Sequence, residues 1–191
     1  GWRALKADEY QDSGYPFLSA FNIVDNKLVW DEFNYITQER FDESPEIKLN
    51  VGDILLVKDG AGLGKCARVD ELPEGSSTVN GSLAVITPTK GLSYKYLYYY
   101  LLGNTFKQMI DLLRNGMGVP HFTQGNMRTI YLPLPPFDEQ EQIASYLDSE
   151  IVKLDTRITK RRKQIELLQE YKQALITDAV TGKIDVRGFN L

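Results

Sequence analysis

Leu132-Pro133-Leu134-Pro135-Pro136-Phe137-Asp138-Glu139-Gln140-Glu141-Gln142-Ile143 is where this sequence changes character. Proline fixes φ and lacks an N–H, so a Pro-x-Pro-Pro run neither continues a strand ladder nor sits inside a helix. Asp138 follows as an expected N-cap, with Glu139 and Glu141 in a first turn where the helix dipole favours acid. Beyond it, Ile151, Ile158 and Ile165 recur every seven residues, and Leu147, Leu154, Leu168 and Leu175 recur three positions on. This a/d seam predicts one helix of about 40 residues, roughly 60 Å at 1.5 Å per residue. A chain of 191 residues does not need so long a helix for its own core, so the seam is expected to meet a partner.

Two charges interrupt the seam, Arg161 in the leucine register and Lys172 in the isoleucine register. Either the long stems snorkel from a solvated face, or the charges penalise wrong pairings and fix orientation. Isoleucine at a with leucine at d suits a parallel dimer in isolation.

Upstream of the prolines the sequence reads as an α+β domain with a mixed sheet, residues 1–136, followed by the helix and tail, residues 137–191. Short strands are expected at Pro16-Phe17-Leu18 and Ile23-Val24, with a turn at Asp25-Asn26-Lys27. Ile54 to Val57 reads as a buried strand, Cys66 to Val69 as its return, and Val85-Ile86 as the end of another. Ser93 caps an expected helix through Leu113, and Met127 to Leu132 is expected to be a final strand.

Composition limits the function. No apolar run approaches the ~20 residues that span a bilayer, and the amino end lacks the apolar core of a signal peptide. One cysteine, Cys66, and one histidine, His121, exclude an internal disulfide and a multi-histidine metal site. A cytoplasmic location is the expectation. Net charge is −4, which does not favour nucleic acid, but it is unevenly spread. Residues 1–54 hold 5 Lys/Arg against 11 Asp/Glu, whereas residues 55–136 hold 8 against 5.

Gly60-Ala61-Gly62-Leu63-Gly64-Lys65-Cys66 fails as a nucleotide loop. A P-loop needs glycine where Asp59 stands and Ser or Thr where Cys66 stands, and the dinucleotide fingerprint needs glycine in place of Lys65. It is either a plain hairpin loop or one whose glycines let a phosphate approach between Lys58 and Lys65. Arg114 to Asn126 is a glycine-rich loop whose Arg114, Asn115, Gln124 and Asn126 are of the types that read base edges. His121 is a candidate beside them, or else a helix cap or packed ring. Asn80 and Ser82, in the loop before a strand, complete the candidate DNA-binding set. The tyrosines from Tyr94 to Tyr100 are expected in core and interface rather than stacked on bases. Glu46-Ile47-Lys48 is a bare Glu-x-Lys, a fragment of a nuclease signature, and Pro135-Pro136-Phe137 has Leu134 where an amino-group methyltransferase needs an amide or acid. No catalytic residue is assigned.

The segment from Gly116 to Leu147, with its Pro120-His121-Phe122 and the Leu-Pro-Leu-Pro-Pro-Phe-Asp-Glu-Gln junction, and the tail Ala174 to Arg187 resemble the specificity subunit of type I restriction-modification systems. Val51 to Val57 with the glycine loop is similar to that family's target-recognition domain. Members carry two recognition domains and two long helices; this sequence has one of each, so it resembles a half subunit or a fragment. The resemblance implies sequence-specific recognition of one part of a bipartite duplex DNA target. It implies methyltransferase and restriction/translocase partner subunits, and no cofactor on this chain: S-adenosylmethionine, ATP and Mg would belong to those partners. It also implies antiparallel helix pairing, as a homodimer, through Leu147, Ile151, Leu154, Ile158, Arg161, Ile165, Leu168, Lys172 and Leu175. On residues alone, a coiled-coil adaptor with an α+β head and no DNA role remains open, favoured by the acidic balance, as does an undetected enzyme.

Overall fold

The computed structural model describes residues 5–60, 62–114 and 121–188. It divides into two compact units, Gly1–Ala144 and Ser145–Leu191.

In the first unit the central strand is β5, Ile54–Val57, buried at all four positions. Side chains of a strand alternate between faces, so a continuous apolar run needs cover on both sides. Ile54 and Leu56 enter one core cluster and Leu55 and Val57 another. The remaining strands are β1 Tyr15–Leu18, β2 Ile23–Val24, β3 Lys27–Leu28, β4 Asn34–Ile36, β6 Cys66–Arg68, β7 Thr78–Val79 and β8 Leu83–Ile86. β5 lies between β6 and β8, antiparallel to both. β1 pairs antiparallel with β4 and parallel with β7, so this sheet is mixed. β2 and β3 form a hairpin whose Asp25 and Asn26 have φ of 48° and 60°, the left-handed pair of a tight two-residue turn. The expected α+β class with a mixed sheet is what is found.

Among the described residues there are five α-helices, besides short 3-10 turns: α1 Gln38–Asp42, α2 Tyr94–Leu102, α3 Asn104–Arg114, α4 Gln124–Met127 and α5 Phe137–Val180. Ser93 caps α2 through Tyr96 N–H, as expected. The expected single helix through Leu113 is two, because Gly103 turns extended with ψ of 158°. The two helices still serve one core: Leu97 and Leu101 from α2 and Phe106 and Ile110 from α3 bury in the same cluster.

Four tyrosines of α2 fasten other segments through their hydroxyls. Tyr98 donates to Asn26 O (2.8 Å), Tyr100 to Tyr131 O (2.6 Å), Tyr96 to Pro133 O (2.9 Å) and Tyr94 to Asp70 Oδ1 (3.2 Å). Two of these bonds correct the expected strand at Met127 to Leu132. Met127 ends α4, and the carbonyls of Tyr131 and Pro133 are served by tyrosine hydroxyls rather than by a neighbouring strand.

α5 begins one residue before the expected cap. Pro136 O accepts from Gln140 N, so Asp138 lies inside the first turn, where its charge still complements the dipole. Gln140 is fully buried: its Oε1 accepts from Ser93 N (2.9 Å), and its Nε2 donates to Gly91 O (3.0 Å) and Pro135 O (2.8 Å). With Ala144, also buried, it brings the first two turns of α5 into the first unit.

In the second unit α5 runs on to Val180, a 44-residue helix of roughly 66 Å from Phe137. The Val-Thr-Gly-Lys-Ile motif is its stop signal. Gly182 takes φ of 76°, and Lys183 N and Ile184 N both donate to Asp178 O (2.9 and 3.2 Å). No helix among the described residues is long and apolar enough to cross a membrane.

Candidate nucleic-acid interface

One end of the first unit gathers loops that are remote in sequence. β1 and β7 run parallel and leave the sheet together, and Asn80 N donates to Leu18 O (2.7 Å). Val57, the last residue of β5, pairs with Leu83, the first of β8, so the loops beyond them meet: Lys58 N donates to Ser82 O (2.9 Å). Phe122 N donates to Lys58 O (2.8 Å), which brings the 121–127 segment to the same edge. Phe122 turns inward against Phe106, ring centroids 6.0 Å apart, and the neighbouring His121 turns outward.

These loops border a groove of about 990 Å³. Lys58, Asn80, His121 and Thr123 supply polar rim groups, β8 supplies an apolar wall, and Glu46 stands at its edge. The rim is of mixed charge. Asp59 meets His121 Nδ1 and lies 3.8 Å from the Lys58 ammonium. Glu46 is held below its ordinary carboxyl value, first by its own backbone N–H.

Of the nine candidate DNA-binding residues, the structure brings Lys58, Asn80, Ser82, His121 and Asn126 into this neighbourhood. Asn80 Oδ1 is committed to Ser82, accepting from its N (3.0 Å) and Oγ (2.5 Å), which leaves the Asn80 NH₂ to reach outward. Asn126 Oδ1 likewise braces the α4 turn, accepting from Thr123 N (2.9 Å) and Oγ1 (2.6 Å). His121 is an exposed ring on Asp59, neither a helix cap nor a packed ring. Lys65 is exposed in the β5–β6 hairpin, away from the groove lining. That hairpin depends on Gly64, whose φ is 88° and whose N donates to Val57 O; a Cβ there would press on Ile110 at 3.4 Å. Arg114 closes α3, but its side chain lies outside the described residues, as do Asn115 and the side chain of Gln124.

Two features of the first unit were missed in the sequence. Thr87 lines the groove from a segment with no nucleic-acid pattern, whereas Glu46 belongs to the Glu-x-Lys weighed in the sequence. Phe21 is 92% exposed, held on a tight turn after β1 by Ser19 and the buried Asn22. A lone exposed aromatic between two short strands gives no usable signal in sequence.

Other motifs resolve as structural. Cys66 is fully buried and its thiol is pushed up to about 12 by burial. Lys48 of the Glu-x-Lys pairs with Asp42 (2.5 Å) and lies over the Phe41 ring. Among the described residues no cluster of three or more His, Cys, Asp or Glu could hold a metal ion.

The family model for the type I restriction modification DNA specificity domain matches residues 2–168, spanning the groove-bearing unit and more than half of α5. The chain belongs to this family. It is 24% identical over 189 residues to the type I restriction enzyme MjaVIII specificity subunit of Methanocaldococcus jannaschii, covering 97% of this chain and 44% of that one. It is 23% identical over 177 residues to the EcoKI specificity subunit of Escherichia coli K12, covering 91% of this chain and 37% of that protein. The chain thus spans about two-fifths of the length of these relatives. In fold it resembles a chain from a type I R-M system solved for complex assembly and conformational transition, with TM-score 0.72, 20% identity, and coverage of 93% and 41%. It also resembles the HsdS subunit of Thermoanaerobacter tengcongensis, with TM-score 0.57, 19% identity, and coverage of 95% and 42%.

Proposed function

We propose that this chain is a DNA target-recognition module of a type I restriction-modification complex. The observation that carries the proposal is the family match across both the grooved unit and the long helix, two parts with no reason to be matched together in an adaptor of another kind. The groove edge reads one part of a bipartite duplex target: Lys58 meets a phosphate, and the Asn80 amide and His121 ring reach base edges. α5 beyond Ser145 is the spacer and assembly element. Its seam, from Leu147 to Leu175 and including Arg161 and Lys172, meets another helix of the same kind, antiparallel, in a homodimer.

Chemistry lies elsewhere in this reading. Methyltransferase subunits bring S-adenosylmethionine and a restriction/translocase subunit brings ATP and Mg, while this chain binds none of them. The setting is cytoplasmic. The net charge of −4 fits a module whose partners share the work of holding DNA.

Two readouts test this. In a DNA shift assay with the methyltransferase subunits present, a salt-sensitive, sequence-selective complex is expected; none at low salt sinks the proposal. In cells carrying the operon, methylome sequencing is expected to give an interrupted motif. If two copies of this chain pair about a two-fold axis, the halves are inverted repeats of one another. Unrelated halves would mean that a second, different recognition domain reads the other half, and the homodimer part of the proposal fails.

A further inference from the structure

His121 is the one histidine of the chain, and its two ring nitrogens have different surroundings. Its segment is pinned from behind. Phe122 N donates to Lys58 O (2.8 Å), Asp59 and His121 form an antiparallel bridge, and the buried Phe122 ring lies against Phe106. Neighbouring residues of an extended segment point to opposite sides, so with Phe122 inward the His121 ring stands outward, its side chain 53% exposed. There Nδ1 meets Asp59 Oδ1. The other oxygen of the same carboxylate, Oδ2, lies 3.8 Å from the Lys58 ammonium. Nε2 is the polar atom of the ring that Asp59 leaves over.

A carboxylate accepts hydrogen bonds and cannot donate them, so the nitrogen that meets it carries the proton. In a neutral imidazole one nitrogen donates and the other accepts, and the bond made by the first decides the role of the second. Asp59 therefore leaves Nε2 as an acceptor, the reverse of the arrangement that a free neutral histidine side chain prefers. Lys58, a fixed cation on the second oxygen, balances the carboxylate, so the ring need not be charged to hold the pair together. An acceptor is scarce on the rest of the rim. Lys58 only donates, and Asn80 has its Oδ1 committed to Ser82 and turns its NH₂ outward. Glu46 accepts from its own backbone N–H. In the major groove, adenine N6 and cytosine N4 are amino donors, whereas thymine and guanine offer keto oxygens, O4 and O6.

We propose that Asp59 is a positioning residue that holds His121 in its Nδ1–H form, and that His121 Nε2 accepts from the exocyclic amino group of adenine or cytosine at one position of the target. A thymine or guanine there sets a keto oxygen against the nitrogen lone pair, and the contact is lost. The inference rests on the groove edge being the DNA face, and adds what that edge selects: an amino base, on one strand, at one position. It also separates three neighbouring residues by role. Lys58 grips the backbone whatever the sequence, His121 discriminates, and Asp59 touches no DNA and acts through the ring.

The first test uses the full chain without DNA. Because His121 is the only histidine, its ring-nitrogen NMR resonances report one ring without ambiguity. They are read at about pH 8, well above the ordinary histidine range. The Nδ1–H pattern is expected in the wild type and the Nε2–H pattern in Asp59→Ala. An Nε2–H or imidazolium pattern in the wild type overturns the proposal. The second test uses the complex with the methyltransferase subunits, on the target motif and its single-base-pair variants. At one motif position the wild type is expected to prefer A or C over T or G by about tenfold, and His121→Ala to erase that preference. Asp59→Ala should reduce it at the same position without lowering binding averaged over sequences, whereas a merely structural loss would weaken every sequence alike. If the position that depends on His121 requires G or T, the ring donates and the proposal falls. If His121→Ala leaves every preference intact while Lys58→Ala weakens binding, the inference falls and the DNA face stands. If neither variant changes binding, both fall.

Discussion

Leu55 and Leu168 are the same residue in two different situations. Leu55 is completely buried between core clusters in the first unit, whereas Leu168 is 66% exposed on the helix of the second. The contrast is general. β5 buries every side chain it has, while from Val152 to Thr177 every described residue of α5 is exposed. The first unit holds itself together; the second presents an exposed apolar seam. Substitutions of one kind should therefore act on different observables in the two units. In the first they change the stability of the chain alone, and in the second they change only association.

The largest effect expected is on association. Leu154→Asp with Leu168→Asp places carboxylates on the seam, and should turn the proposed dimer into a monomer by light scattering. The thermal transition of the first unit should not move. An unchanged oligomer would mean that the seam is not the contact surface.

Next is the converse. Leu55→Ala should cost the first unit about 3 kcal/mol in denaturant unfolding, the usual loss for an aliphatic side chain deleted from a packed core. Leu168→Ala should cost that unit nothing measurable. If Leu168→Ala destabilised the chain under conditions where it is monomeric, the division between the two situations would be wrong.

Gln140 sits where the two situations meet in sequence. It is the one fully buried amide of α5, and it serves Ser93 N, Gly91 O and Pro135 O. Gln140→Leu keeps the volume and removes every one of those bonds, leaving buried polar groups unserved. A loss of about 2 kcal/mol in the first unit is expected by the same unfolding measurement. Gln140→Glu should also destabilise, since a carboxylate cannot donate to the two carbonyls. A neutral Gln140→Leu would show that those groups find other partners.

Legibility in the sequence followed the range of the interactions. β5 was readable because four apolar residues in a row have one simple solution, and α5 because its seven-residue repeat is longer than any accident. The break at Gly103 was hidden, since Leu97, Leu101, Met109 and Leu112 fall on one side of an uninterrupted helix. The segment Met127 to Leu132 looked like a strand because its apolar residues do pack on the core, but hydroxyls of tyrosines 31 and 37 residues upstream serve Tyr131 O and Pro133 O. For the groove, chemistry-bearing residue types were readable and their assembly was not. Lys58, Asn80 and His121 meet through three backbone hydrogen bonds that no local pattern announces, and Lys65, chemically equivalent to Lys58, is left outside.

That last pair offers the smallest and most discriminating prediction. Lys58 and Lys65 flank one glycine loop, carry the same charge, and looked alike in sequence. In the structure Lys58 is half-buried at the groove with Asp59 3.8 Å from its ammonium, while Lys65 is exposed on the hairpin. Lys58→Ala should weaken DNA binding by the methyltransferase-containing complex for all sequences alike, with the slope of log K against log salt reduced by about one. Lys65→Ala should change binding by less than Lys58→Ala and leave the slope where it was. Asp59→Asn removes the carboxylate that Lys58 now faces, so it should strengthen binding modestly, in the direction opposite to Lys58→Ala. Equal losses at Lys58 and Lys65 would move the DNA face from the groove to the hairpin tip. No loss at either would remove the loop from the interface altogether, leaving His121 and the loop before β8 to carry it.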